Sequence, residues 1–154
     1  MRHLIAAAAC LALASCGDRT SSQPRVAVEG ARVQLPLARG RPGTAYFTLE
    51  TNSRPMHLVA ISSPQVRRIE IHDSRMDGNV ARMEKLENPA FERDEMAFEP
   101  GGRHAMLFGI ASSVKVGDRL SLSFTFDPAP PVTIDAEVVA PGEAHQGHGP
   151  EHVV

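Results

Sequence analysis

The sequence has very few cysteines, and both lie near its start. Cys10 and Cys16 are the two thiols of the 154 residues, and no residue after Gly17 carries one. This excludes a disulfide framework, a cysteine-based zinc or iron–sulfur site and a cysteine nucleophile from the globular part of the chain. Histidine and methionine remain as the borderline and soft metal ligands.

Other scarcities narrow the class of protein. Tryptophan is absent and tyrosine occurs once, so we do not expect a large aromatic binding surface. The formal net charge of −2 gives no basic footprint, which argues against nucleic acid as a partner. Apolar residues make up 42%, which is enough for a hydrophobic core and argues against a wholly disordered chain. The length fits one domain, with or without tails.

The first residues have the pattern of a targeting segment. Arg2 and His3 precede an apolar run over residues 4–14, which is shorter than the roughly 20 residues needed to span a bilayer. The run ends in Leu13-Ala14-Ser15-Cys16, which resembles a bacterial lipobox. The resemblance implies a signal peptide over residues 1–15, lipidation of Cys16 and a polar tether over residues 16–25. The alternative is an ordinary signal peptide with a cysteine near its end by chance. On the first interpretation, the protein is a membrane-anchored periplasmic lipoprotein.

Residues 26–140 read as a chain of short strands. Apolar residues alternate with polar ones, and proline and glycine separate the runs, which predicts an all-β sandwich or barrel without a sustained helix. The runs are Val26–Leu35, Thr44–Glu50, His57–Ile61, Arg67–His72, Val80–Leu86, Met96–Phe98, His104–Ile110, Arg119–Phe126 and Val132–Val139. We expect residues 141–154, which are rich in glycine, proline and histidine, to form a flexible tail.

A hairpin signal lies in the middle of the chain. If Asp77-Gly78 forms a two-residue turn, His72 lies directly opposite Met83 on the neighbouring strand. If the turn is instead Gly78-Asn79, Met83 lies opposite Ser74. We take the first register as the prediction.

A second pair of candidate ligands follows. His104 and Met106 are two residues apart on a predicted strand and therefore share a face. If that strand lies beside the hairpin, two imidazoles and two thioethers come together. This borderline-to-soft set favours Cu(I) over magnesium, calcium or manganese. Each residue alone is more often structural, and two such pairs are less easily a coincidence.

The spacing matches a known family. His72, ten residues, Met83, twenty residues and then His104-x-Met106 resembles the motif of the periplasmic copper chaperones of the PCuAC type. The surrounding sequence is similar too: AYFTLE at 45–50, ISSP at 61–64, IEIH at 69–72, EPGGRHAML at 99–107 and VGDRLSLSFTF at 116–126. The resemblance implies a small Greek-key, cupredoxin-like β-barrel with one Cu(I) held by His72, Met83, His104 and Met106. It also implies copper delivery to respiratory cytochrome oxidase or to another copper chaperone by a monomer.

The chain departs from the family pattern at two points. The family usually has one more residue between Met83 and His104, a difference we place in the Asn88–Glu95 loop because a change within a strand would reverse its faces. Many members have additional methionines near the site. Met76 is the candidate here, either as a transfer ligand or, in the interpretation we favour, as an exposed residue beside the turn.

Several further histidine, methionine and acidic residues are weaker candidates for a functional role. His145, His148 and His152 in the tail could bind a second copper ion, as Cu(II), or could simply be solvated. Met56 and His57 are interpreted as structural, and Glu70 and Asp73 as solvated strand residues beside the site.

Two other functional classes stay open. A β-sandwich envelope lipoprotein without metal, acting in adhesion or structure, predicts no stoichiometric copper. A copper enzyme is the third choice, because a methionine-rich set without cysteine disfavours Cu(II) and the sequence offers no convincing acid–base pair. We therefore expect a protein that is not an enzyme.

Overall fold

The structure, a computed structural model, describes residues 23–143 as a set of nine β-strands. They are β1 (Val26–Gln34), β2 (Gly43–Thr51), β3 (His57–Ser62), β4 (Val66–Asp77), β5 (Val80–Lys85), β6 (Glu95–Phe98), β7 (Arg103–Ile110), β8 (Arg119–Asp127) and β9 (Val132–Val139). Each coincides with one of the nine predicted runs to within a few residues, apart from β4, which continues five residues past His72 to Asp77. Across this part of the chain, no helix has the length and apolarity to span a membrane.

The nine strands belong to one sheet that folds over its own core. The order is β3-β8-β9-β1-β2-β7-β4-β5, with β6 paired to β2 beside β7. All pairs are antiparallel except β1 with β9. Phe47 of β2 meets Phe124 of β8 edge-on at a centroid distance of 4.9 Å, although two strands separate them in the sheet. The predicted all-β class is confirmed.

Side-chain alternation explains why these segments are strands. On β8, Leu120, Leu122 and Phe124 are fully buried, and Ser121 and Ser123 lie on the opposite, more accessible side. A strand with this period of two hides one face from water. Each such side chain contributes about 1.5–3 kcal/mol through burial, so the alternation both selects the strand conformation and orients it toward the core.

The same alternation directs β4 and β7. Ile71, Ala105 and Leu107 are buried in the core, and Glu70 and His72, the neighbours of Ile71, point away from it. We call the side of β4, β5 and β7 that points away from the core the outer face. Its members considered below are Arg68, Glu70, His72, Ser74, Met76, Met83, Lys85, His104, Met106 and Phe108.

Gly43 allows β7 to lie close to the start of β2. A Cβ atom at this position would come within 2.6 Å of Ile110 Cδ1 and 2.8 Å of the carbonyl oxygen of Gln34. The second contact involves backbone, which cannot move aside cheaply. A glycine is therefore required where β1, β2 and β7 converge.

The predicted register of the β4–β5 hairpin is wrong, and the alternative register is the observed one. Asp77 pairs with Val80 and Ser74 pairs with Met83, so the turn is Gly78-Asn79. Gly78 has a φ of 62°, which fits a type II′ turn with glycine at its first central position. A turn at Asp77-Gly78 would instead need the less common positive φ at an aspartate. Placing the turn one residue later gives that conformation to glycine.

The segment between β5 and β6 includes most of the Asn88–Glu95 region, in which we place the one-residue difference from the family spacing. Residues 86–94 lie outside the long strands, with Ala90 in an isolated bridge to His57 and Phe91 buried. A length difference here leaves the faces of β5 and β7 unchanged.

The register can be tested by cross-linking in a chain that lacks Cys10 and Cys16. Residues directly opposite each other in an antiparallel pair have Cα atoms about 4.5–5.5 Å apart, which lies within the range of disulfides. We expect the double substitution Ser74→Cys and Met83→Cys to form a disulfide on mild oxidation, measured by mass spectrometry. The pair His72→Cys and Met83→Cys is the matched comparison. Preferential cross-linking of that second pair would show the other register.

Candidate metal site

Two histidines form the centre of the outer face. His72 of β4 and His104 of β7 are directly opposite each other in the ladder. Their ring centroids are 6.0 Å apart and their planes differ by 24°. His104 is 8% exposed, and the side chain of His72 retains 14% exposure. The ladder register therefore produces a largely buried imidazole pair at the surface of the sheet.

Met106 adjoins this pair on the same face. It lies two residues beyond His104 on β7, opposite Glu70 on β4 and Thr44 on β2. It is half-buried. The structure therefore groups His72, His104 and Met106, three of the four predicted ligands.

Met83 lies on the other side of the histidine pair. It is opposite Ser74 and diagonal to His72, a relation that places backbones about 7–8 Å apart. Ser74 and Glu70, the partners of Met83 and Met106, are four residues apart on β4, or about 13 Å along the strand. Met83 is 57% exposed. It shares the outer face with the other three residues but is separated from Met106.

The proton positions on His104 follow from its hydrogen bond. Its Nδ1 lies 2.9 Å from the carbonyl oxygen of Gly102, which can only accept, so Nδ1 carries the proton. In the neutral ring, Nε2 then has a free lone pair. A ligand histidine held through its other nitrogen is a common arrangement in metal sites.

His72 has an unpartnered buried nitrogen. Its Nε2 lies 3.1 Å from Oε2 of Glu70, and its Nδ1 is buried without a hydrogen-bond partner. Leaving such an atom unsatisfied costs about 1–3 kcal/mol. A metal ion that accepts the lone pair of this nitrogen would satisfy it, and imidazole with thioether is a donor set that fits a borderline-to-soft ion.

A carboxylate and two cations lie close to the histidine pair, and the cations favour the ionised carboxylate. The hydrogen bond from His72 holds the pKa of Glu70 below its ordinary value, with further lowering by the cations Arg68 and Lys85. Lys85 donates a hydrogen bond to Glu87, and this bond and the negative charge of Glu87 raise the pKa of Lys85. Glu70 is therefore an ionised acceptor beside the histidine.

An ion pair between a buried carboxylate and an exposed guanidinium supports the base of the hairpin. Asp73 is 7% exposed and accepts bonds from Nε and Nη2 of Arg75 at 2.7 and 2.6 Å. This hydrogen bond raises the pKa of the Arg75 guanidinium. The interpretation of Glu70 and Asp73 as solvated is wrong: Asp73 is buried, and the Glu70 side chain is 20% exposed and bonded to His72. A polar residue in an alternating strand gives no sign of such partners.

The remaining candidates have different positions. Met76 is 68% exposed at the hairpin end, and Met56 is fully buried in the core. His57 lies near the carbonyl oxygen of Asn88 at 3.4 Å, away from the outer face. Cys16, His145, His148 and His152 lie outside the described residues. Within residues 23–143, no group of three or more His, Cys, Asp or Glu side chains is placed to hold a metal ion.

With this geometry established, comparison with known proteins assigns a family. Residues 26–138 match the model of the family described as "Putative lipoprotein LpqE-like". The chain belongs to this LpqE-like family. A Rickettsia prowazekii (strain Madrid E) relative, "Uncharacterized protein RP573", is 36% identical over 85 residues, which is 53% of this chain. The chain spans only 47% of that relative's length.

Solved structures share the fold of this LpqE-like chain. The copper-bound PCuAC domain from PmoF2 has a TM-score of 0.59 and 25% identity, over 75% of this chain and 93% of that domain. The solution structure of CuI-DR1885 from Deinococcus radiodurans has a TM-score of 0.60 and 23% identity, over 73% and 76% of the two chains. The predicted cupredoxin-like fold is confirmed.

The ion pair at the hairpin base can be tested by neutralising one carboxylate at a time. We expect Asp73→Asn to lower the free energy of unfolding by about 1.5–3 kcal/mol, because the bonds from Arg75 lose a charged acceptor. Asp77→Asn on the same strand is the control. Its pair with Arg82 is exposed and should be worth less than about 1 kcal/mol. Urea unfolding measures both, and equal effects would contradict the special role of Asp73.

Proposed function

We propose that this protein is a Cu(I)-binding metallochaperone that works outside the cytoplasm, with His72, Met83, His104 and Met106 as its copper ligands. The observation that carries the proposal is the direct opposition of His72 and His104 beside Met106, with one buried imidazole nitrogen left without a partner. The fold shared with a copper-bound PCuAC domain supports the same conclusion.

The chemistry of the ligands favours Cu(I) as the cargo. Thioethers and neutral imidazoles suit a soft monovalent ion and compete poorly for magnesium or calcium, which prefer oxygen. A thioether cannot be lost to disulfide formation, although it can oxidise to the sulfoxide. The set is thus suited to an oxidising compartment in which thiolate ligands would be at risk.

The position of the ligands favours transfer over storage or catalysis. The site lies on the surface of a sheet, and Met83 is more than half exposed. An acceptor can therefore replace the ligands one at a time, without releasing a bare ion into water. We propose respiratory cytochrome oxidase or another copper chaperone as the acceptor, a monomeric state, and no enzymatic activity.

Attachment to a membrane is the second part of the proposal. The description of the family, "Putative lipoprotein LpqE-like", agrees with this proposal, and Cys16 ends a lipobox-like sequence. A diacylglycerol together with an amide-linked acyl chain supplies several hydrophobic chains. A single acyl chain gives only reversible membrane binding, so this anchor would be stable. Such an anchor would hold the carrier near a membrane-embedded oxidase.

The ligand assignment predicts the effect of removing sulfur. We expect the double substitution Met83→Ala and Met106→Ala to weaken Cu(I) binding by about 100-fold or more, equivalent to about 2.7 kcal/mol. Of the single substitutions, Met106→Ala should cost more, because Met106 adjoins the histidine pair. Anaerobic competition with a chromogenic Cu(I) chelator measures the affinities. Full affinity in the double variant would refute the assignment.

Two controls sharpen this experiment. Met76→Ala removes an exposed thioether from the same hairpin and should leave the affinity within about twofold, a difference of about 0.4 kcal/mol. A chain truncated after Val139 lacks His145, His148 and His152. If the tail holds a second ion, truncation lowers the copper stoichiometry while the Cu(I) affinity of the main site is retained.

The lipid anchor makes a separate prediction. We expect Cys16→Ser to move the protein from the detergent phase to the aqueous phase in Triton X-114 partitioning, and to remove the lipid mass from the mature chain. Cys10→Ser is the matched control, since Cys10 lies in the segment that is removed. Retention of the Cys16→Ser protein in the membrane fraction would contradict lipidation at this residue.

A further inference from the structure

We propose that Glu70 is a positioning residue that fixes the tautomer of His72. In this tautomer, Nδ1 of His72 and Nε2 of His104 are the nitrogens that bind copper. The choice of nitrogen concerns the metal site of the proposed function and rests on it. The tautomer itself is a property of the metal-free chain and can be measured without copper.

The contact between Glu70 and His72 determines the proton position on the ring. An ionised carboxylate can only accept hydrogen bonds, so the 3.1 Å contact from Oε2 requires the proton on Nε2 of His72. In a neutral imidazole the other nitrogen is then an acceptor. That nitrogen is Nδ1, the buried atom without a partner. The ring is thus held with its free lone pair on the buried nitrogen.

Glu70 is itself held in place on its other side. Nε of Arg68 lies 3.3 Å from Oε1 of Glu70, so each carboxylate oxygen has its own partner. The guanidinium of Arg68 in turn stacks 4.5 Å above the ring of Phe108. Arg68, Glu70 and Phe108 all lie on the outer face with His72. The carboxylate therefore has a defined orientation toward Nε2.

His104 is fixed in the opposite way. The carbonyl oxygen of Gly102 accepts from its Nδ1 at 2.9 Å and also from the backbone N–H of Ser74 at 3.1 Å, which anchors that carbonyl between β4 and β7. The two imidazoles are therefore preset in different tautomers, one by a carboxylate and one by a backbone carbonyl. The carboxylate is the partner that a substitution can remove.

Loss of Glu70 should weaken copper binding by changing the tautomer of the His72 imidazole. Without the carboxylate, the proton of His72 can move to Nδ1, and the lone pair then lies on the wrong nitrogen. Substitution of a residue that orients a metal ligand typically costs about 10–100-fold in affinity. We expect Glu70→Gln to fall in this range, because its neutral amide can also donate to Nε2 and favour the other tautomer.

The control is Glu84→Gln. It removes the same charge from the adjacent strand β5, opposite Asp73 and off the outer face. We expect it to change the affinity by less than about twofold. An equal loss in both variants would show a general charge effect and would overturn the positioning role.

The test is long-range ¹H–¹⁵N NMR of the imidazoles, at a pH where both rings are neutral. In the metal-free wild-type chain we expect the Nε2–H tautomer for His72 and the Nδ1–H tautomer for His104, with a shift of His72 toward Nδ1–H in Glu70→Gln. On adding Ag(I), a redox-inert substitute for Cu(I), the ¹⁵N signals of Nδ1 of His72 and Nε2 of His104 should move.

The outcomes separate this inference from the proposed function. An Nδ1–H tautomer for His72 in the metal-free wild type, or a metal-induced shift at its Nε2, would overturn the inference even if copper binds tightly. The expected metal-free tautomers without any copper binding would support positioning by Glu70 and would instead refute the proposed function.

Discussion

The pairing of β4 with β7 is the constraint on which the site depends. It places His72 directly opposite His104, and it leaves Met106 two residues away on the same face. Ile71, Ala105 and Leu107 of the same strands are buried in the core. The hydrophobic burial that fixes the ladder thus also fixes the distance between the imidazoles. A shift by one residue would turn the ligands inward and the core residues outward.

The alternation of polar and apolar residues is sufficient to predict the all-β class and the face on which the candidate ligands lie, whereas the cupredoxin-like fold comes from the family resemblance. Alternation in segments such as β8 identifies strands directly, because a buried face has a period of two. Proline and glycine marked the boundaries between them. The proximity of His104 to the hairpin came from the family resemblance and from a conditional argument, since long-range pairing leaves no local signal in a single chain.

The errors have a physical origin. Two adjacent dipeptides, Asp77-Gly78 and Gly78-Asn79, both look like turns, and the choice depends on which residue takes the positive φ. The burial of Asp73 and the bond from His72 to Glu70 depend on side-chain directions that alternation cannot supply. Alternation alone therefore predicts that both residues are solvated, although Asp73 supports the hairpin and Glu70 contacts a candidate ligand.

Strand β5 has a further consequence for how the site would exchange metal. Among residues 23–143 it pairs only with β4, and all six of its residues are exposed. Detaching β5 would break only its hydrogen bonds to β4, whereas displacing β7 would expose buried core residues. Elements with so few buried contacts open at the lowest cost in free energy. Met83 belongs to this exposed edge strand, whereas the two histidines and Met106 lie on β4 and β7, whose alternate residues are buried in the core. Of the four proposed ligands, three would thus stay on strands that pack on the core, and Met83 would be the one able to leave with an edge strand.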